Sequence, residues 1–471
     1  KLSVSEETQD VLKLAYSMKV VFALLILMIF WWISEAIPIP ATALLPCVIL
    51  PLFHTWGVED GKIFEISSHH VFSNYAHPVI FLFLAGFLIA GAMQKWGVDK
   101  RIALFILTHL SKSASGILLA LIISTAIISM WVSNTATTVM MLPVTLGILR
   151  KLNIDEKSNY AKAAVLGIAY AASVGGIGTP IGTPPNGIAI SILSKEAGYH
   201  ISFAKWMTFG FPFVIFSAPV LWIALKFIFK FDVKISEEIK ELLIRERKNL
   251  GRFSKGEKLV IFVFSIVVLL WIINPLIKTI FKGKFALLDE YVIALLGCIL
   301  LFILPVDLSK REFVLDWRDS KFVDWGTLIL FGGGIAISDA LFKTGLADAI
   351  SETILKVIGK LPLIFLIFSV VVFAEILTEV SSNTAVASMF VPILISVCSK
   401  SGILPQNVVI PVVVAVSMAF MLPIATPPNA IVYGTGYIKL KDMLKAGLIL
   451  DIIFAIYITI FFLAFFHIFN I

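Results

Sequence analysis

The stretch that decides the fold is SNTATTVMMLP, Ser133–Pro143, which returns downstream as SNTAVASMFVP, Ser382–Pro392. Each copy lies at the centre of an apolar segment, Gly116–Gly147 and Leu361–Ser399, that is too long for one membrane span of roughly 20 residues. Ser, Asn and Thr are good helix N-caps, so each segment reads as two short helices meeting at a turn inside the membrane: re-entrant hairpins over 116–149 and 361–399. Ser and Thr in membrane helices also bond back to a carbonyl or hold helices together. That plainer reading suits one triplet and accounts poorly for two at matching positions.

A second motif follows each hairpin. TPIGTPPN (Thr179–Asn186) returns as LPIATPPN (Leu422–Asn429). Proline lacks an N–H and suits a helix's first turn, so Thr183 and Thr426 read as N-caps and the residues before them as unwound strips breaking the helices 160–194 and 407–437. Carbonyls without helical partners, near Gly178, Gly182 and Ala425, are hard oxygen ligands suited to Na⁺. A simple proline kink is the alternative, but it does not explain why Asn186 and Asn429 both follow the prolines. Upstream, FLFLAGFLIAGAMQKWG from Phe81 matches the stretch ending at Gly345, pairing Phe83 with Phe331 and Gly97 with Gly345. The chain is therefore an internal duplication, with a first repeat over 19–230 and a second over 259–468. Duplicated membrane bundles, often with inverted copies, hold substrate between the repeats near the bilayer midplane.

Working outward, 59% of the 471 residues are hydrophobic and 15% charged, against about a quarter charged in soluble domains. This predicts an all-α polytopic protein of the plasma (inner) membrane, with further spans near 19–34, 38–54, 78–94, 206–230, 259–281, 288–304, 325–342 and 443–468. Residues 1–18 form an N-terminal cytoplasmic segment. The loop 231–258, with a surface helix in EEIKELLIRERK and a basic excess, falls on the cytoplasmic side. The stretches Lys95–Lys112 and Leu341–Lys360 read as amphipathic interfacial linkers. The net charge of +7 is met by basic residues at span ends and calls for no nucleic acid. Cys47, Cys298 and Cys398 have no CxxC spacing and read as packing residues. No HExxH spacing, Ser/His/Asp arrangement or paired Asp falls within the spans, which argues against a metalloenzyme or another intramembrane enzyme.

Charge within the motif segments points to the chemistry. Residues 113–149, 163–194, 361–399 and 407–437 contain no Lys, Arg or His, and their acids are Glu375 and Glu379. Helix N-termini, each worth roughly half a positive charge, and amide and hydroxyl donors would have to hold an anion there. These suit a small polycarboxylate, and a cation bound beside it would lower the desolvation cost. Na⁺ coupling follows from the site's lack of its own base. Glu379 is expected to make structural hydrogen bonds, with a proton-linked role as the alternative. Asp339 and Lys343, four residues apart, are expected to pair at a span end.

Paired SNT and TPP motifs in a duplicated hydrophobic chain resemble the divalent anion/sodium symporter family, over about residues 15 to 468. The resemblance implies about eleven transmembrane helices plus two hairpins in two inverted repeats, a homodimer, and elevator-type alternating access. It implies one sodium site at Ser129, Ser133, Asn134 and the Gly182 carbonyl, and another at Thr378, Ser381, Asn383 and the Ala425 carbonyl. Substrate carboxylates would meet Asn134, Thr135, Ser382, Asn383 and Thr384, with Thr183, Pro184, Thr426 and Pro427 close by. The expected activity is secondary transport of a C4-dicarboxylate such as succinate, malate or fumarate with Na⁺ as co-transported ion and no organic cofactor. A sodium-independent exchanger, for instance of 2-oxoglutarate for succinate, is the alternative within the family.

Overall fold

The computed structural model describes residues 6–110, 113–231, 238–280, 289–358 and 361–469. Among them, eight helices are long and apolar enough to cross a membrane. The first, Glu6–Ser34, extends the expected span back through most of residues 1–18. Long helices at Pro78–Lys95, Phe203–Phe229, Lys255–Ile280, Trp325–Lys343 and Leu440–Phe469 lie where the apolar runs placed them.

The expected span over 38–54 is instead two short helices, Ile39–Thr42 and Leu45–Leu52. Prolines 38, 40, 46 and 51 remove backbone donors too often for one continuous helix. The chain then makes an antiparallel ribbon, Trp56–Glu59 with Lys62–Glu65, and a second small ribbon pairs Pro305–Asp307 with Glu312–Phe313. Neither was legible, because strands of two to four residues carry no periodicity.

Both hairpins form. The first has arms Ala114–Ser129 and Asn134–Lys151; the second has arms Leu363–Val380 and Asn383–Ser401. Both broken helices form too, as Asn159–Gly176 then Pro184–Ala197, and Gln406–Ala415 then Pro427–Tyr433. The hairpins and broken helices pack closely, with Gly175 so near Ala126 that a Cβ would lie 2.3 Å from its carbonyl oxygen. The stretches expected to lie along the interface are helical at Val98–Leu110 and Leu346–Ile358. Of the charged linker, residues 232–237 lie outside the described residues; Glu238–Asn249 is the surface helix, with Leu243 buried. Cys298 and Cys398 are buried and all three cysteines are free.

The expected Asp339–Lys343 pair does not form. Asp339, 2% exposed, faces inward and meets His70 Nε2 and Lys195 Nζ, each at 2.6 Å. Lys343 reaches Glu59 on the first ribbon instead, at 2.5 Å. A buried carboxylate needs strong partners on its own side of the helix, and these came from segments far away in sequence.

Candidate functional site

At the tip of the first hairpin, Ser133 caps the second arm, its hydroxyl accepting from the Ala136 N–H at 3.3 Å. Ser129, one turn before it, donates its hydroxyl toward Asn134 Oδ1 and the Ala172 carbonyl, both at 2.8 Å. The second hairpin repeats this arrangement. Thr378 Oγ1 donates toward Asn383 Oδ1 at 2.5 Å and the Val416 carbonyl at 2.8 Å. Each hydroxyl has one proton for two acceptors, so each tip gathers three oxygens with lone pairs to spare. That is a donor set for a hard cation.

The unwound strips are held open by the Asn of TPPN. Asn186 Nδ2 donates to the carbonyls of Gly176 and Thr179, at 3.0 and 2.8 Å. Asn429 Nδ2 donates to those of Ala419 and Leu422, both at 3.0 Å. Both asparagines are fully buried. For the Gly176 and Ala419 carbonyls the residue four further on is Pro180 or Pro423, which has no N–H, and the asparagine amide stands in for it; this is the role the repeated Asn left unspecified in the sequence. Thr426 caps its helix by accepting from the Asn429 N–H, whereas Thr183 makes no such bond. Gly182 is required on steric grounds: a Cβ there would lie 2.4 Å from the Gly176 carbonyl oxygen and 3.0 Å from that of Met130.

The two copies close the strip against the hairpin by opposite means. In the first, Thr179 Oγ1 donates to the Met130 carbonyl at 2.5 Å. In the second, the Glu379 carboxylate, one residue beyond Thr378, accepts from the N–H groups of Met421 and Leu422 at 2.8 and 2.9 Å. Glu379 therefore makes the structural bonds expected of it.

Tips and strips line one cavity of about 540 Å³. All the expected substrate contacts lie on its wall: Asn134, Thr135, Ser382, Asn383, Thr384, Thr183, Pro184, Thr426 and Pro427. Of the expected cation ligands, Ser133, Gly182 and Ala425 also line it, as do both tip asparagines, while Ser129, Thr378 and Ser381 lie buried behind. The motifs did not reveal Glu35, Ile39, Phe87, Asp324 and Thr327, which also line it. Helices of 14 or more residues begin at Asn134, Pro184 and Asn383, so partial positive charge converges on the cavity without a basic side chain. A larger crevice of about 710 Å³, beside the Leu346–Ile358 helix, is lined by apolar residues with Ser369 and Ser401 and offers an anion nothing comparable. Among the described residues no group of three or more His, Cys, Asp or Glu is placed to hold a metal ion.

A duplicated bundle whose hairpin tips and broken helices converge on an anion-suited cavity defines a polytopic membrane transporter, not an enzyme. The comparisons with known proteins agree. Residues 12–470 match the model of the sodium:sulfate symporter transmembrane region, and the chain belongs to that family as a multi-pass protein of the cell membrane. It is 38% identical over 427 residues to the sodium-dependent dicarboxylate transporter SdcS of Staphylococcus saprophyticus, covering 88% of this chain and 80% of that protein. Identity to the SdcS of Staphylococcus aureus is also 38%, over 440 residues, covering 91% and 82%. In fold the chain is similar to the YdaH transporter of Alcanivorax borkumensis, with TM-score 0.58 at 11% identity over 95% of this chain and 97% of that one. MtrF of Neisseria gonorrhoeae, described as one of a class of antimetabolite efflux pumps, gives TM-score 0.58 at 13% identity over 92% and 96%.

Proposed function

We propose that this protein is a secondary active transporter that carries C4-dicarboxylates such as succinate, malate and fumarate together with Na⁺. The observation that carries the reading is the twofold hydroxyl, asparagine and carbonyl cluster beside a cavity lined by no base. Na⁺ entering each cluster would take up the spare lone pairs of Asn134 and Asn383 Oδ1. It would also add a full positive charge next to the helix N-termini, where the substrate carboxylates then accept from Asn134, Thr135, Asn383 and Thr384. The naming of the SdcS relatives as sodium-dependent dicarboxylate transporters supports the same coupling.

The repeats are inverted in this reading. Both hairpins and both broken helices move as one body against the remaining helices, an elevator motion, in each protomer of a homodimer. The test is succinate uptake into proteoliposomes with a Na⁺ gradient. Uptake should require inward Na⁺; counterflow that persists when choline replaces Na⁺ would establish the exchanger instead.

A further inference from the structure

The anion cavity has a feature that binding alone does not explain. Among the described residues, the charged side chains on its wall are both acids, Glu35 and Asp324. Glu35 ends the first helix in a left-handed turn, φ +48°. Asp324 caps the Trp325–Lys343 helix, Oδ1 accepting from the Thr327 N–H at 3.0 Å and Oδ2 from the Thr327 hydroxyl at 2.7 Å. The two turns belong to one wall. A Cβ on Gly326 would lie 2.8 Å from Pro40 Cγ and 3.3 Å from Asp324 Oδ1. Both residues are solvent-exposed, and both line the cavity that the amide and hydroxyl groups of the tips also line.

Two carboxylates on the wall of an anion site cost affinity for a dianion, because like charges repel and low-dielectric walls focus the field. The same field concentrates cations. We propose that Glu35 and Asp324 are specificity-determining residues, a charge filter that draws Na⁺ into the cavity and opposes binding of the dicarboxylate. The inference rests on the cation-coupled reading above and assigns its selectivity to residues outside the tip motifs. The filter makes leakage of the free dianion unfavourable, and it does so without touching the groups that hold the substrate.

The test uses the full-length protein in proteoliposomes with succinate as probe, comparing wild type, Glu35→Gln, Asp324→Asn and the double variant. Asn remains a good N-cap, so the Trp325–Lys343 helix keeps its Thr327 bond. In the double variant the Na⁺ concentration for half-maximal uptake should rise roughly three- to tenfold, while half-saturating succinate at saturating Na⁺ should fall by a similar factor. Both differences should shrink in high choline chloride, which screens exposed charge, and Glu35→Asp should keep wild-type values. Equilibrium binding of radiolabelled Na⁺ to the detergent-purified protein repeats the first comparison without transport. Constants that stay put, or that move in the same direction, in a Na⁺-driven wild type overturn the filter alone. Uptake by wild type that ignores Na⁺ overturns the symport reading itself.

Discussion

Thr378 Oγ1 and Asn383 Oδ1 are joined across the tip of the second hairpin at 2.5 Å, and Ser129 Oγ and Asn134 Oδ1 across the first at 2.8 Å. The partners are five positions apart in both cases, so one turn of helix before each tip supplies the hydroxyl that orients the tip amide. In the proposed reading the amide offers its NH₂ to an anion in the cavity that both asparagines line and its oxygen to a cation.

Removing that amide should end transport at either tip. Asn134→Ala and Asn383→Ala are each expected to reduce Na⁺-driven succinate uptake to background, with normal elution in size-exclusion chromatography. Near-normal uptake in both variants would take the tips out of the site.

Thr378→Val keeps the shape of the side chain and deletes its donor. Asn383 Oδ1 and the Val416 carbonyl then face each other without a proton, which costs about 1–3 kcal/mol. A bound Na⁺ relieves that clash of lone pairs, so thermal stabilisation by Na⁺ should be larger in the variant than in wild type if the oxygens, rather than the hydroxyl, dominate the cation site. An equal or smaller Na⁺ shift, measured by melting in detergent, would make the hydroxyl an essential ligand.

The strips give a sharper mutational signature. Asn429→Leu removes a fully buried Nδ2 that bonds the Ala419 and Leu422 carbonyls, and Asn186→Leu does the same to Gly176 and Thr179. The Thr179 and Leu422 carbonyls keep the N–H groups of Gly182 and Ala425, so each variant orphans one buried carbonyl, that of Gly176 or Ala419, at a cost of about 1–3 kcal/mol. Glu379→Gln should act on the second strip only: one Gln oxygen can serve Met421 or Leu422, while its NH₂ opposes the other N–H. A loss of about 1–3 kcal/mol in melting stability is expected for it, together with reduced uptake.

How much of this was legible depended on what each feature requires. Hairpins and broken helices were readable because SNT and TPPN place N-caps and prolines inside apolar runs, where a continuous helix cannot pass them, and because each signal occurs twice. The ligand role proposed for Ser129 and Thr378 came from the family resemblance, and one helical turn of spacing makes it geometrically natural. The rest of the cavity wall was not readable. Glu35 and Asp324 lie almost 290 residues apart with no motif around them, and the packing of Pro40 against Gly326 that brings their segments to one cavity leaves no mark in the sequence. The same limit produced the mistaken Asp339–Lys343 pair, since spacing along one helix says nothing of which face looks inward.

That corrected pair carries the last prediction. Lys195 closes the second half of the first broken helix, and its ammonium meets Asp339 at 2.6 Å and donates to Asn74 Oδ1 at 2.6 Å. The two partners differ in burial: the Asp339 side chain is 3% exposed and that of Lys195 28%. Lys195→Met therefore leaves a buried carboxylate with His70 as its remaining ionic partner, whereas Asp339→Asn leaves an ammonium that water can reach. Removing one member of a buried pair costs about 3–5 kcal/mol, and the half-exposed geometry makes Asp339→Asn the milder change. In a double-mutant cycle read by thermal unfolding in detergent, Lys195→Met should be the more destabilising single change. The double variant should recover part of its loss, because the uncompensated buried charge is gone. Additive losses would mean that Lys195 and Asp339 are held by their other neighbours and not by each other.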